Sequence, residues 1–89
     1  MSFASHASEE FWKFYRALPP GVQAQADKQF ALFRRDPYHP SLRLKQAGEV
    51  WSARISRSYR ALAHRQGNAF YWFWIGPHED YEYFLRRQA

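Results

Sequence analysis

The sequence predicts an α+β domain in which an N-terminal α-helical hairpin packs on a twisted antiparallel β-sheet of about four strands. Three observations carry that expectation. Apolar residues recur at helical spacing as far as Phe33, interrupted at Pro19-Pro20. Beyond Ser41 the period changes from helical to alternating. The alternating stretches are joined by short polar segments, Ser56-Arg57-Ser58 and Gln66-Gly67-Asn68, of the kind that close antiparallel hairpins.

Each element has a local reason. Residues 1 to 7 are small and polar, an expected frayed end. Ser8 is placed to N-cap a short helix, with Glu9 and Glu10 in the first turn, where carboxylates complement the helix dipole. Phe11, Phe14, Tyr15 and Leu18 form its apolar stripe. Pro19-Pro20 ends that helix and starts the next, because proline suits a first turn. Val22, Ala26, Phe30 and Phe33 make the second stripe, and Asp36-Pro37 stops it. Two helices joined this tightly read as an αα-hairpin. Residues 37 to 41 are a turn-rich crossing, and Leu42 and Leu44 among basic residues suggest a short strand. Val50 to Ile55, Tyr59 to Arg65 and Ala69 to Ile75 read as three more. After Gly76-Pro77 the tail is expected to form a short helix carrying Tyr83, Phe84 and Leu85.

A chain of 89 residues makes one domain with a small core, to which its many aromatic rings contribute disproportionately. It has no cysteine, so disulfides and thiolate metal sites are excluded, in keeping with a cytoplasmic protein. The N-terminus lacks the basic start and apolar core of a signal peptide, and no apolar run reaches membrane-spanning length, so no membrane role is expected. The formal charge is +5, with basic residues gathered at Arg34-Arg35, Arg43 to Lys45, Arg54 to Arg65 and Arg86-Arg87. Such a balance suits an anionic partner, either nucleic acid or an acidic protein, as well as a merely soluble surface.

The hairpins imply a register. If Ile55 pairs with Tyr59, then Arg54 lies opposite Arg60; if Arg65 pairs with Ala69, Leu62 lies opposite Trp72 and Arg60 opposite Trp74. One face then carries Trp51, Ala53, Ile55, Tyr59, Ala61, Ala63, Tyr71, Phe73 and Ile75. The other carries Ser52, Arg54, Arg60, Leu62, His64, Trp72 and Trp74. Two opposed arginines repel unless something compensates. A phosphate between them would, since each guanidinium donates a planar pair of hydrogen bonds, and the neighbouring tryptophans suit base stacking. Pairing of Arg54 and Arg60 with Glu49 or with the acidic residues 79 to 82 is the plainer alternative.

The stretch "WFWIGPHEDYEYF" brings an apolar strand to a turn and then to His78, Glu79, Asp80 and Tyr81. On the register above, His78 and Tyr81 fall near the arginines. RNA strand scission needs a base for the 2′-hydroxyl, an acid for the leaving 5′-oxygen and cations for the phosphorane, which these side chains can supply. The alternative is that His78 caps the last helix and Tyr81 packs beneath it. His6, His39, His64 and His78 show no metal-ligand spacing, and there is no Gly-rich phosphate loop, so no metal or cofactor is expected.

Taken together, "FWKFYRALPPGVQAQADKQFALFRRDPYHPSL", "WSARISRSYRAL" and "WFWIGPHEDY" resemble the RelE/ParE superfamily of bacterial type II toxin–antitoxin toxins. The resemblance implies the toxin fold and a metal-independent endoribonuclease, an mRNA interferase that inhibits translation on the ribosome. Inhibition of DNA gyrase, as by some members, and a non-toxic binding module are the alternatives. It carries over Arg60, His78 and Tyr81 as catalytic residues, with Tyr83 as an alternative to Tyr81, and Arg54 as a substrate-binding residue; Lys45 of the basic run and Trp74 beside the arginines complete the expected substrate-binding set. The expected partners are an acidic antitoxin, the ribosome and mRNA.

Overall fold

The computed structural model describes the backbone of residues 3–88 and their side chains, apart from those of residues 83–85, 87 and 88. The elements run β1 (Ala4–Ala7), α1 (Glu9–Arg16), α2 (Pro20–Arg35), a short 3₁₀ turn (Pro40–Leu42), β2 (Lys45–Ala47), β3 (Val50–Ser56), β4 (Tyr59–Gln66), β5 (Ala69–Pro77) and α3 (His78–Gln88). This is the predicted α+β architecture, with one more strand than expected. The sheet has five strands in the order β1-β5-β4-β3-β2, and β1 runs parallel to β5.

The added strand is the segment expected to be frayed. Ala-Ser-His-Ala has no alternation to announce it; the edge of β5 makes it a strand. The Ala4 N–H donates to the Asn68 carbonyl at 2.9 Å, and the Ser8 N–H to the Trp72 carbonyl at 3.1 Å. The Trp72 indole Nε1 donates to Ser5 Oγ at 2.9 Å. Ser8 then caps α1 as predicted, its Oγ accepting from the Phe11 N–H at 3.1 Å.

The helical hairpin is tied internally by side chains of α2. Gln23 Nε2 donates to the Tyr15 and Leu18 carbonyls, both at 3.1 Å, satisfying the end of α1. The Tyr15 hydroxyl donates to Asp27 at 2.7 Å, which raises the tyrosine's pKa. The hairpin covers what we call the inner face of the sheet, where Phe11, Ala26, Phe33, Ala53, Ile55, Ala61, Ala63, Phe70, Trp72 and Ile75 are buried together. Phe33 meets Phe70 and Trp72 edge-on at 5.0 and 5.3 Å between ring centroids. The strand expected around Leu42 and Leu44 starts later. Leu42 is buried in the 3₁₀ turn and Arg43 takes a left-handed φ of 44°, so extended pairing begins at Lys45.

The register differs from the sequence expectation in two compensating and two accumulating ways. Both hairpin loops hold two residues rather than three: Ser56 pairs with Tyr59, and Gln66 with Ala69. Gly67 supplies the positive φ, 59°, that a tight hairpin turn needs. In the first hairpin a bulge between Arg54 and Ser56 restores the predicted Arg54–Arg60 pair. In the second, a bulge at Phe73 adds to the shift, so Leu62 faces Trp74 and Arg60 faces Gly76. Trp72 therefore joins the inner core, while Tyr71 and Phe73, expected there, lie on the outer face. That face has a core of its own, Val50, Leu62, Trp74 and Tyr81, closed by α3. No helix among the described residues is long and apolar enough to cross a membrane.

The two ends of the glycine scale are open to test. A Cβ on Gly76 would sit 2.5 Å from the Trp74 ring, whereas one on Gly21, in the first turn of α2, meets nothing within 4 Å. Gly76→Ala should destabilise by about 1–3 kcal/mol through displacement of the indole, and Gly21→Ala should stabilise by about 0.4–1 kcal/mol. Urea unfolding followed by tryptophan fluorescence reads both.

Candidate functional site

Alternation along β3 and β4 sends Arg54 and Arg60 to the outer face, directly opposite one another. The Arg60 guanidinium is anchored: Nη1 donates to the Ser56 carbonyl at 2.9 Å and the Tyr59 carbonyl at 3.0 Å. Burial first, then the Arg54 charge, holds its pKa below the usual arginine value; Tyr81 acts in the opposite sense, and Arg43 adds to the lowering. Arg43, Arg54, Arg60 and Tyr81 thus share one electrostatic neighbourhood. Among the described residues neither Arg54 nor Arg60 forms an ion pair, so the alternative of pairing with Glu49 or residues 79 to 82 is not realised. The acidic start of α3 turns instead to its own histidine, with Glu82 3.6 Å from His78 Nδ1.

His78 is fixed by the end of the sheet. Tyr59 pairs with Pro77, and the His78 N–H donates to the Ser58 carbonyl at 2.7 Å, carrying the ladder one step further before α3 begins. Its imidazole lies 5.5 Å from the Tyr81 ring and remains 40% exposed. An open depression of about 460 Å³, lined by Arg57, Ser58, Tyr59, Pro77, His78 and Glu79, adjoins it.

The fold brings Arg54, Arg60, His78 and Tyr81 to one end of the outer face, but not all in the condition expected. Tyr81 is 4% exposed, and its buried hydroxyl has no hydrogen-bond partner among the described groups. An orphan hydroxyl of this kind costs about 1–3 kcal/mol. Trp74, expected to stack on a base, is 5% exposed beneath α3; the bulge placed it over Leu62 and Gly76, where it fills the outer core. Lys45 is exposed on the edge strand, opposite buried Ser52. Tyr83 lies outside the described side chains. Arg43 stands in the sequence only as part of a basic run; its left-handed backbone and its charge effect on Arg60 come from the tertiary fold. Among the described residues no three His, Asp or Glu side chains gather to hold a metal.

Comparisons with known proteins bear on the family and the fold. A family model described as the ParE-like toxin domain matches residues 20–83. No curated protein sequence matches the chain significantly. Among solved structures, a double mutant of the toxin RelE from E. coli in the free state superposes with a TM-score of 0.68 at 18% identity, covering 100% of this chain and 95% of that one. The toxin of a RelBE toxin–antitoxin complex from Mycobacterium tuberculosis gives 0.62 at 20% identity, over 86% and 99%. A YoeB/ParE toxin from Agrobacterium tumefaciens gives 0.65 at 13%, over 85% and 99%. At these identities the likeness concerns the fold.

The uncompensated arginine pair has a measurable signature. Arg54→Gln should raise stability by a few tenths to about 1 kcal/mol at low ionic strength, by relieving repulsion across the strands. The gain should shrink as salt screens the charges. Inorganic phosphate should raise the melting temperature of the parent more than that of the variant. Thermal unfolding by circular dichroism at low and high salt, with and without phosphate, checks all three.

Proposed function

The chain belongs to the ParE-like toxin domain family, and from that premise we propose that it is the toxin of a type II toxin–antitoxin pair, acting as a ribosome-dependent mRNA endonuclease. The observation that carries this reading is the opposed Arg54–Arg60 pair, free of any carboxylate among the described residues, at the same end of the sheet as His78. Such a pair attracts a phosphodiester by charge and by bidentate hydrogen bonding. The anchored Arg60 would hold the scissile phosphate, Arg54 a second oxygen, and exposed Lys45 the strand beyond. His78 would take the 2′-hydroxyl proton. The 2′-oxygen then attacks phosphorus, the P–O5′ bond breaks and the leaving 5′-oxygen takes a proton from water at the open site, while the guanidinium groups stabilise the added charge of the phosphorane. No metal is needed for this chemistry.

Tyr81 is the less direct member. Its ring closes the outer core, and its hydroxyl would reach a substrate only with α3 lifted from the sheet. An acidic antitoxin is the expected partner, by charge complementarity with the basic outer face; several similar structures are toxins solved with their antitoxins. A second reading, gyrase inhibition without catalysis, draws on the exposed aromatic side chains of α1, Trp12 at 42% and Phe14 at 43%, which present an apolar surface to a protein target.

Expression with growth and mRNA-cleavage readouts separates these readings. Arg60→Ala and His78→Ala should each reduce cleavage by about 10²–10⁴-fold and relieve growth arrest. Tyr81→Phe keeps the buried ring and removes the orphan hydroxyl, so it should be neutral to stabilising, with cleavage retained unless the hydroxyl takes part in the reaction. Undiminished growth arrest in both Ala variants, with gyrase supercoiling blocked in vitro, would replace the nuclease by the second reading.

A further inference from the structure

The arginines occupy one end of the outer face. The other end carries two ring stacks for which the cleavage reaction has no use. His6 lies on Tyr71 with centroids 5.2 Å apart and planes at 18°, and His64 lies on Phe73 at 4.5 Å and 19°. They form a row. His6 is opposite Tyr71 across β1 and β5, and Tyr71 is opposite His64 across β5 and β4. His6 and His64 are exposed, and Tyr71 is 44% exposed. Along β4, Arg60, Leu62 and His64 alternate onto this same face, so the row begins roughly 13 Å from Arg60 at about 3.3 Å per residue.

We propose that this row is a stacking platform for bases of the RNA strand whose phosphate the arginines grip, with His6–Tyr71 and His64–Phe73 each receiving an unstacked nucleobase. The inference rests on the RNA-cleaving reading above and adds a base-binding subsite to it. Every base has a π-face, and flat rings held against a second ring are already ordered for stacking. The platform stands on three hydrogen-bonded strands, so its rings are spaced by the sheet. None of its groups is an acid, and they share a face with Arg54 and Arg60; no element of the platform repels a polyanion. Imidazole edges also offer hydrogen bonds that base edges can meet, which suits nucleobases better than the apolar side chains of a protein partner.

The test uses the full chain carrying His78→Ala, so that RNA stays uncut, bound to ribosomes programmed with an mRNA that is either normal or abasic at the nucleotides flanking the scissile site. Tyr71→Leu, which keeps bulk but loses the flat ring, and His64→Ser should each weaken binding by about five- to a hundred-fold on normal mRNA. On the abasic message they should bind like the parent. Equal binding of variants and parent to the normal message would overturn the platform. So would equal weakening on both messages, which marks structural damage, and so would loss of antitoxin binding with RNA binding intact, which assigns the row to a protein interface. The cleavage reading is judged separately, by whether the chain with His78 intact cuts the normal message on the same ribosomes; if it does not, the platform falls with it.

Discussion

A single extra residue in β5 organises this molecule. Without the bulge at Phe73, Trp72 and Trp74, two positions apart, would lie on one side of the sheet. With it, Trp72 enters the core beneath the helical hairpin, and Trp74 enters a second core on the outer face. The bulge thereby gives both faces of a small sheet an indole to pack around, each a large share of buried apolar area in a chain of this size. It also brings Gly76 opposite Arg60, and the missing side chain there is what admits the Trp74 ring. The chain leaves the sheet immediately afterwards, and α3 folds back over that ring with Tyr81.

The candidate site follows from the same register. Arg60 is held by carbonyls at the β3–β4 turn, Arg54 faces it, and His78 extends the ladder of the next hairpin beside them. These positions are backbone consequences, so the groups are preorganised rather than gathered by flexible loops. The arrangement is electrostatically tense: among the described residues the opposed guanidinium groups lack carboxylates and a buried hydroxyl lacks a partner. Local features that lower stability are expected where binding is to supply the missing partner. An anion would relieve the first, and movement of α3 the second.

Much of the fold was legible in the chain. Ser8, Pro19-Pro20 and Asp36-Pro37 are local stop and start signals, and the helices begin and end at them. The strands β3, β4 and β5 announced themselves by alternation and by turn residues. β1 did not, because its pairing is created by the free edge of β5 and not by anything in Ala4–Ala7. The Arg54–Arg60 pair is legible although the hairpin loop holds one residue fewer than its polar residues suggest, since the bulge at Ile55 offsets the difference. In the second hairpin the bulge adds to the difference, so Tyr71, Trp72 and Phe73 take the faces opposite to those expected, while Trp74 keeps the outer face but lies opposite Leu62 instead of Arg60.

What the sequence determined by itself is the class of fold, the family resemblance and the chemistry available: basic groups, a histidine after the last strand and a surplus of aromatic rings. Those depend on composition, on short-range periodicity and on residues adjacent in the chain. Which rings are buried, which are free to meet a ligand and which arginine reaches which were decided only in the tertiary structure. A shift of one residue inverts every side chain of a strand, and whether a bulge adds to or removes that shift depends on packing against elements distant in the chain.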